Sequence, residues 1–559
     1  MLKALVAKAL DRVRLVFARH PRSDRLALLR AHLETPAPAM PGAPRLAIQG
    51  VEDPLYFGLF NAIALQLRKT RGAAGELVVV RSINGAIGVG AKAAFWRSRL
   101  IGGLLSAQWI RAWRPWVERI AYRSLSFGSP FLDLIDRRRS RAIWHAQRRN
   151  GGSFGVVIDG VPVTDLVIDS YLRFRPAPRF DAADPFVLTL LRQAHRDVRR
   201  ARSYFARQRP AAYLTSYATY IEHGIAVRVA LDAGVRVFSF GSLSQFGKEL
   251  TAADTLHTPD TTHYRSTFER LADRPAALRQ AAAQLEFRLS GGIDPAMSYM
   301  RAAAYGQSVE AAPEALRGAT VIFLHDFYDS PHVYHDLVFD DFWQWVTFTI
   351  ETLREAGVPF FIKPHPNQIA LSGEALQTLR DAYPALRLLS PRLTNTQLVE
   401  AGIACGVTMY GSVAHELAYY GVPTIACARH PHHAFDFCRT ARSREAYRDL
   451  LRTPDVLPVP KDEMQRQALA FFYMHNLQGS TDALELRNLF NAWWKASESR
   501  ETTDGELLER LRALRTSAAF ERFCDGLLPA EAARSVAATT PARVDAHEPS
   551  AASLESMER

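Results

Sequence analysis

The chain has 559 residues, 48% of them hydrophobic and 23% charged, with 69 Lys and Arg against 57 Asp and Glu and a formal net charge of +12. The composition is typical of folded proteins and excludes a disordered or fibrous chain. The length is well above the roughly 100–200 residues of one domain, which predicts two large domains with extensions, and the basic excess favours an acidic partner: a nucleotide, a phosphorylated substrate, a nucleic acid or an anionic membrane.

Residues 1–44 form the first predicted segment. Apolar residues recur at helical spacing in 1–20 with Lys and Arg elsewhere on the wheel, and a Pro-rich linker follows at 35–44. A basic amphipathic helix of this kind either lies on an anionic membrane surface or packs on its own domain. No apolar stretch has the roughly 20 residues that a membrane span needs. The four cysteines include no CxxC pair, which favours a reducing compartment. We therefore expect a cytoplasmic protein, peripheral at the inner face of the cytoplasmic membrane if residues 1–20 bind lipid.

Residues 45–315 predict a first α/β domain. The stretch 76–96 is typical of a strand, a Gly-rich turn and a helix, and a long basic helix is predicted at 185–208. Residues 211–242 then follow the order strand, helix, strand, with Gly234 ending the helix. Such a unit is the building block of a parallel sheet.

Residues 316–460 predict a second α/β domain, because short β-rich runs alternate with helical segments. The predicted strands are 319–327, 359–367, 386–390, 406–410 and 423–427. This alternation is typical of a parallel sheet with both faces covered. Residues 461–536 are expected to be helical, and residues 537–559 have little apolar surface to bury, which predicts a disordered tail.

Three polar stretches of the second domain follow predicted strands: 325–332, 363–368 and 410–416. Ligands of parallel α/β sheets bind at the carboxyl ends of the strands, so we expect these stretches to converge. Gly411 would allow close approach of the backbone, and Ser412 would cap a helix whose amides hold a phosphate. Lys363 and His365 would donate to the same phosphate.

Glu416, one turn further along, would accept from a ribose, with His415 as an additional donor. A plain helix cap at Ser412 and a structural histidine at position 365 remain the alternatives. The predicted ligand-binding residues are His325, Asp326, Lys363, His365, Pro366, Asn367, Tyr410, Gly411, Ser412, Val413 and Glu416.

The acidic and histidine residues of 325–336 raise the question of a metal. They are His325, Asp326, Asp329, His332, His335 and Asp336. Their spacing matches no zinc-ligand pattern, and HExxH is absent. We expect no metal and interpret the stretch as a hinge or substrate loop.

"KPHPNQ" followed by "GSVAHELAYYGVPTI" resembles the C-terminal half of GT-B glycosyltransferases that build bacterial capsule and surface polysaccharide. The stretch is similar in particular to Kdo-transferase-like capsule enzymes, and its His-Pro pair is similar to the motif with which sialyltransferases hold CMP. The likeness extends over about 155–445. It implies a GT-B-like α/β fold, in which two Rossmann-like domains face a central cleft and C-terminal helices follow.

The same resemblance implies donor-phosphate contacts from His365 and Ser412, and ribose or base contacts from Glu416. The Asp-Asp-Gly acid motif of sialyltransferases has no clear counterpart here, which leaves the catalytic base open. We assign that role to Asp165 or Asp169 of the N-terminal domain, for which structural caps or turns are the equal alternative, and we assign leaving-group stabilisation to His365.

The leading hypothesis is a glycosyltransferase that uses a nucleotide-activated sugar, with CMP-Kdo or a related CMP-sugar as the implied donor, in capsule or surface polysaccharide biosynthesis. The donor is a substrate, so no cofactor is expected, and the acceptor would be a glycan or a lipid-linked glycan. Two alternatives stay open: a CDP-alcohol phosphotransferase of the teichoic-acid type, and a non-catalytic scaffold in envelope assembly. A nucleic-acid partner is not expected, since no recognised module is present.

Overall fold

The computed structural model describes residues 21–51, 53–78, 110–121, 130–150, 154–175, 177–292, 310–366, 370–499 and 501–528. Four predicted features lie outside these ranges: the amphipathic helix of 1–20, the Gly-rich turn and helix after Val78, the side chain of Asn367, and the tail. No helix of the described ranges combines the length and the apolar character that crossing a membrane requires.

The first sheet has six strands in the order β3-β2-β1-β6-β7-β8. All neighbours pair in parallel except β7 and β8. The strands are β1 Arg45–Gln49, β2 Ala74–Val78, β3 Arg119–Ala121, β6 Ala212–Thr215, β7 Arg236–Ser239 and β8 Lys248–Leu250. A separate hairpin pairs β4 Val157–Ile158 with β5 Val161–Pro162. Counted within the six-stranded sheet, the order is 3-2-1-4-5-6, the doubly wound arrangement of a dinucleotide-binding domain.

Helices cover both faces of this sheet, because alternate residues of each strand point to opposite sides. On β1, Leu46 and Ile48 join one hydrophobic cluster and Ala47 joins the other. The helices of this half are α1 Pro21–His32, α2 Pro54–Arg71, α3 Pro130–Asn150, α4 Thr164–Phe174, α5 Pro185–Gln208 and α6 Tyr220–Asp232. Helix α5 has the predicted bounds, and the sequence explains its start: Asp184 accepts from the Phe186 amide and Pro185 occupies the first helical position.

The second sheet has five parallel strands in the order β10-β9-β11-β12-β13. They are β9 Thr320–Phe323, β10 Phe360–Lys363, β11 Cys405–Val407, β12 Thr424–Ala426 and β13 Cys438–Thr440. The strand predicted at 386–390 is reduced to one parallel bridge, Leu388 to Ile362. With that bridge beside β10, this sheet also follows the order 3-2-1-4-5-6. Two Rossmann-like domains in series confirm the predicted fold class.

The remaining helices are α7 Tyr264–Glu269, α8 Arg274–Leu289, α9 Phe342–Glu355, α10 Ala370–Ala382, α11 Asn395–Glu400, α12 Val413–Tyr419, α13 Arg444–Arg452, α14 Lys461–Phe472, α15 Thr481–Glu498, α16 Asp504–Arg515 and α17 Ala518–Leu527. A π-helical turn, Tyr473–Leu477, continues α14, and 3-10 turns occupy Arg114–Trp116, Glu314–Leu316 and Pro331–Val333. The helical character predicted for 461–536 thus holds as far as the described residues extend.

The packing divides these helices differently from the predicted domain boundaries. Phe268 of α7 and Ala277 of α8 share a cluster with Phe471 of α14, on the second domain. Helices α15 to α17 return to the first domain, where Trp493 Nε1 donates to the carbonyl oxygen of Leu55 at 3.1 Å. The chain therefore passes from the first domain to the second and back again, and residues 461–536 are not one separate helical unit.

Among the described residues, hydrogen bonds that join the two domains across the cleft involve Asp341, Thr258 and His332. Asp341 Oδ2 accepts from the Phe180 amide at 2.9 Å, and Thr258 Oγ1 donates to the carbonyl oxygen of Val333 at 2.9 Å. His332 Nδ1 lies 2.7 Å from Asp169 Oδ1. These contacts hold the carboxyl edge of the second sheet against helix α4 of the first domain.

Candidate functional site

The loops that follow β9, β10, β11 and β12 converge on a cavity of about 420 Å³ at the carboxyl edge of the second sheet. Each loop contributes lining side chains, among them His325, Lys363, Tyr410 and His432, and Ser244 reaches the cavity from the first domain. The predicted convergence of the three polar stretches is therefore present in the structure. Of the predicted ligand-binding residues, the cavity is lined by His325, Lys363, His365, Pro366, Tyr410, Gly411, Ser412 and Val413.

Lys363 is the last residue of β10, and its side chain is almost completely buried, at 7% exposure. Its Nζ lies 3.4 Å from the carbonyl oxygen of Pro391. Burial lowers the pKa of Lys363 to about 8, which the negative charge of Glu416 partly opposes. Burial has removed much of the water that would stabilise this ammonium, so an anionic ligand in the cavity would restore favourable electrostatics.

His365 lies between Pro364 and Pro366, whose rings fix the backbone φ on either side of it. All three residues line the cavity. Burial lowers the pKa of His365, against the opposing charge of Asp326. A neutral imidazole donates from one nitrogen and accepts at the other, so His365 is suited to a polar or phosphate group that needs a hydrogen bond rather than a full charge.

The turn at Gly411 differs from the predicted cap. Ser412 already has helical backbone angles (φ −62°, ψ −17°), and its hydroxyl makes no cap hydrogen bond. Instead, Thr408 Oγ1 accepts from the Gly411 amide at 3.0 Å. Ser412 thus occupies the N-cap position but does not make the predicted capping hydrogen bond, and Thr408 closes the preceding turn.

Gly411 is required at this turn, since a Cβ there would lie 2.7 Å from Thr408 Oγ1. Its amide is engaged by Thr408 and is therefore not available to a ligand. Helix α12 has only seven residues, Val413–Tyr419, so its dipole is short. Positive charge for a ligand phosphate must come mainly from Lys363, not from the helix end.

His325 and Tyr410 line the cavity but are tied into its wall. The His325 ring stacks on Phe342 with centroids 4.7 Å apart, and its Nε2 lies 3.1 Å from Thr408 Oγ1. Burial lowers the pKa of His325 to about 3, so the ring is neutral. Tyr410 donates to the carbonyl oxygen of Ser330 at 3.2 Å. Both side chains therefore present aromatic surface to the cavity.

Two predicted ligand-binding residues do not line the cavity. Glu416 is fully buried and accepts from Arg288 at 2.8 Å and from Asn395 at 2.6 Å. Asp326 accepts from Ser372 Oγ at 2.8 Å, so it closes the loop rather than facing the ligand space. The placement of Glu416 argues against its predicted ribose contact. Glu416 neutralises Arg288 and orients Asn395, and these two residues line the cavity instead of Glu416.

The predicted catalytic carboxylates, Asp165 and Asp169, lie on α4 at the cleft but do not face the first cavity. Burial acts to raise the pKa of Asp165, but the hydrogen bonds and charge of Arg228 outweigh it and leave that pKa below its usual range. Arg228 Nη1 donates to Asp165 Oδ1 at 2.8 Å, and Nη2 donates to Oδ2. An ion-paired carboxylate with a low pKa is a poor general base. Asp169 is 1% exposed and lies within hydrogen-bond distance of His332.

A second cavity, of about 360 Å³, lies between the domains. It is lined from the first domain by Asp165, Arg228, Thr255 and Leu256, and from the second by His332, Tyr334, His335, Asp336, Leu337, Phe339 and Asp340. Tyr334 also lines the first cavity, so the two cavities share a wall.

Sequence patterns gave little indication of two buried histidines that line the first cavity. His415 and His432 both line it, are 2% and 0% exposed, and have no hydrogen-bond partner for either ring nitrogen within the described chain. Burial lowers the pKa of each far below its usual value. His415 was predicted only as an additional donor. The signal for His432 was present in "HPHH" at 430–433, which begins three positions after the end of the predicted strand 423–427.

His430, His432 and Cys438 are buried, and their potential ligand atoms lie within 4.8 Å of one another. However, the rings of His430 and His432 stack with centroids 3.6 Å apart and planes 25° from parallel. A metal binds imidazole through a nitrogen lone pair in the ring plane, and two nearly parallel planes do not meet at one ion. His432 also stacks on Phe437, at 5.0 Å. His430 and His432 therefore form an aromatic stack with Phe437, and this arrangement does not suit a metal centre.

No protein-family model and no curated protein matches the chain. Among solved structures, it is similar to the UDP-GlcNAc 2-epimerase of Methanocaldococcus jannaschii in complex with UDP-GlcNAc and UDP, at 9% identity and a TM-score of 0.26, over 76% of this chain and 97% of that one. It is also similar to the glycotransferase of kitacinnamycin, at 11% identity and a TM-score of 0.22, over 87% and 98%. MurG of Acinetobacter baumannii matches at 12% and 0.22, over 76% and 94%. Such low scores carry no argument about ligand or activity, so the fold assignment rests on the strand order.

Proposed function

We propose that the protein is a glycosyltransferase that binds a nucleotide-activated sugar in the first cavity and transfers the sugar to an acceptor in the interdomain cleft. The observation that carries the proposal is Lys363: an almost fully buried cation at the carboxyl edge of a parallel sheet, beside His365 and within a cavity of about 420 Å³. This edge is where doubly wound domains bind nucleotides. Burying a cation is unfavourable unless the charge is paired, and a bound anion would supply that pairing.

In this proposal Lys363 and His365 contact the donor phosphates. As the glycosidic bond breaks, negative charge grows on the departing nucleotide, and a fixed cation in a water-poor cavity stabilises that charge. Arg288 lines the same cavity, but Glu416 largely neutralises it. The unpartnered imidazoles of His415 and His432 would hydrogen-bond a neutral polar part of the donor, because their lowered pKa values keep both rings uncharged.

The resemblance in 321–425 supports a CMP-sugar such as CMP-Kdo as the donor, and capsule or surface polysaccharide as the product. The basic charge of the chain suits an anionic donor and an acceptor held at an anionic membrane. These finer assignments belong to the proposal, together with the cytoplasmic location and the lipid contact of residues 1–20.

The test is thermal stabilisation of the full chain by CMP, CDP, UDP, GDP and their sugar conjugates, because a ligand that binds only the folded state raises its stability. We expect a shift with one nucleotide that is lost in His365→Ala and retained in His263→Ala, a matched change at an exposed histidine. A CMP-selective shift would support the Kdo-type donor, and a CDP-selective shift with CDP-alcohols would favour the phosphotransferase. No shift with any nucleotide would contradict the proposal and favour the scaffold.

A further inference from the structure

His332 and Asp169 form a hydrogen-bonded pair across the two domains. His332 lies in the turn after β9, and Asp169 lies on α4 of the first domain. The distance from His332 Nδ1 to Asp169 Oδ1 is 2.7 Å. Asp169 is 1% exposed, and its second oxygen, Oδ2, has no partner in the described chain. The bond fixes which nitrogen of the imidazole is occupied: Nδ1 faces the carboxylate, which leaves Nε2 for another group.

The His332 ring also lines the second cavity, the space of about 360 Å³ between the domains. No hydrogen bond to Nε2 is present in the part of the chain that the structure describes, and the side chain retains 17% exposure. The next two residues, Val333 and Tyr334, line the first cavity. His332 therefore stands at the boundary between the proposed donor site and the interdomain space.

We propose that the second cavity is the site of a hydroxyl-bearing acceptor, such as the end of a glycan, and that His332 is the general base that removes the proton of its attacking hydroxyl. Asp169 is a positioning residue that holds the imidazole with Nε2 towards the acceptor. The inference rests on the proposed function, because it identifies the base for the same transfer. It replaces the predicted direct roles of Asp165 and Asp169 with one base that the first domain orients.

The step balances without a cofactor. Nε2 of His332 takes the acceptor O–H proton as that oxygen forms a bond to the anomeric carbon of the donor sugar. The bond from the anomeric carbon to the nucleotide phosphate breaks, and the phosphate leaves with the electron pair, beside Lys363. The imidazolium then gives its proton to water and returns to the neutral form.

The surroundings of His332 set its pH dependence. Burial acts to lower the pKa of His332, but the charge and hydrogen bond of Asp169, with Asp165 and Asp340 nearby, outweigh it and raise that pKa above its usual value. The other ionisable groups that line the cavity are Arg228, Tyr334, His335 and Asp336. A base must be unprotonated, so turnover should fall as the pH drops through this raised pKa.

A purely structural role for the pair is the alternative, since a hydrogen bond between domains also holds the cleft together. Loss of stability on mutation does not separate the two roles, because both predict it. Two readouts do. A hydrogen bond that only holds the domains together requires neither an Nε2 that is accessible to reagents nor a pH dependence of turnover that is set by the pKa of His332.

The first experiment needs no substrate. Diethyl pyrocarbonate acylates unprotonated, accessible imidazole nitrogen, and mass spectrometry of the full-length protein reports its extent at His332 across pH. We expect acylation of His332 in the wild type, with an apparent pKa above the usual histidine value, and a lower apparent pKa in Asp169→Asn. No acylation of a folded wild type at any pH, or the same apparent pKa in Asp169→Asn, would overturn the assignment.

The second experiment measures release of nucleotide from the nucleotide-sugar that stabilises the wild type most, with water or a panel of mono- and oligosaccharides as acceptors. We expect His332→Asn to lower kcat by about 10²–10⁴-fold while the donor still stabilises the protein, and Asp169→Asn to move the acid limb of kcat/KM to lower pH. His263→Asn should match the wild type. A rate in His332→Asn within a few fold of wild type, or an unmoved acid limb in Asp169→Asn, would refute the base role. Failure of the proposed function is distinguishable: no nucleotide would stabilise or be turned over by the wild type, whatever the acylation result.

Discussion

Replacing Lys363 by Met should stabilise the ligand-free protein at pH 7 while abolishing its response to nucleotide. Burial lowers the pKa of Lys363 from 10.5 to about 8. The unfolded chain therefore binds this proton more tightly than the folded chain does, so this lysine reduces stability below pH 8, and the reduction disappears as the pH rises from 8 to 10.5. A difference of about 2.5 pH units corresponds to about 3 kcal/mol, at about 1.36 kcal/mol per unit.

Urea unfolding of the wild type, Lys363→Met and Lys495→Met at pH 7 and pH 10 measures this effect. Lys495 is exposed, which makes it a matched control. We expect Lys363→Met to gain up to about 3 kcal/mol over the wild type at pH 7 and to show no difference of that size at pH 10. Its stabilisation by nucleotide should be lost. A variant that is less stable than the wild type at pH 7, or that keeps the full nucleotide response, would refute the account of Lys363 as a buried, anion-binding cation.

Three further predictions concern stability. Gly411→Ala places a Cβ 2.7 Å from Thr408 Oγ1, so we expect a loss of about 1–3 kcal/mol in urea unfolding, and an unchanged midpoint would contradict the tight turn. Glu416→Ala leaves the buried guanidinium of Arg288 without its carboxylate and should cost about 3–5 kcal/mol; a cost below about 1 kcal/mol would show that the pair is dispensable. The free energy of unfolding should also fall between pH 7 and pH 5, because imidazoles bind protons in the unfolded chain but stay unprotonated when they are buried in the folded chain. An unfolding free energy that does not change over this range would contradict the burial of these histidines in the neutral form. The histidines whose pKa burial lowers to about 3 or 4 are His257, His325, His430 and His475.

Local patterns predicted the elements of this fold well. The basic helix at 185–208 carries its own start signal in Asp184 and Pro185, and Gly234 ends the helix of the unit 211–242 with a positive φ of 72°. Alternation of strand and helix was enough to predict that the loops after β9, β10 and β11 meet. Each of these features depends on residues that are close in sequence.

Such local patterns do not predict which distant segments of the chain pack against each other. The amphipathic helices of 481–527 show an apolar face, but nothing local indicates that Trp493 packs on α2 of the first domain, more than 400 positions away. For the same reason Glu416 was expected at the ligand, because its partner Arg288 lies on a helix assigned to the other domain.

The candidate site shows the same limit. Asp169 was assigned as a candidate base of the N-terminal domain, whereas the structure places it within hydrogen-bond distance of His332, a residue 163 positions later. Ser412 occupies the N-cap position but makes no capping hydrogen bond, and Thr408, four residues earlier, accepts from the turn amide of Gly411. Residue type indicated which stretches line the cavity, and tertiary structure decided which side chain of each stretch faces it.

The most direct test of the central claim is amide hydrogen exchange of the full-length protein with and without the nucleotide that stabilises it. The account predicts slower exchange at the amides of Lys363, at the end of β10, and His365, in the loop after it, and in 410–415 after β11, with little change in α5 or α16. Protection confined to other parts of the chain, or none in these two loops at a saturating nucleotide concentration, would contradict a donor site at the carboxyl edge of the second sheet.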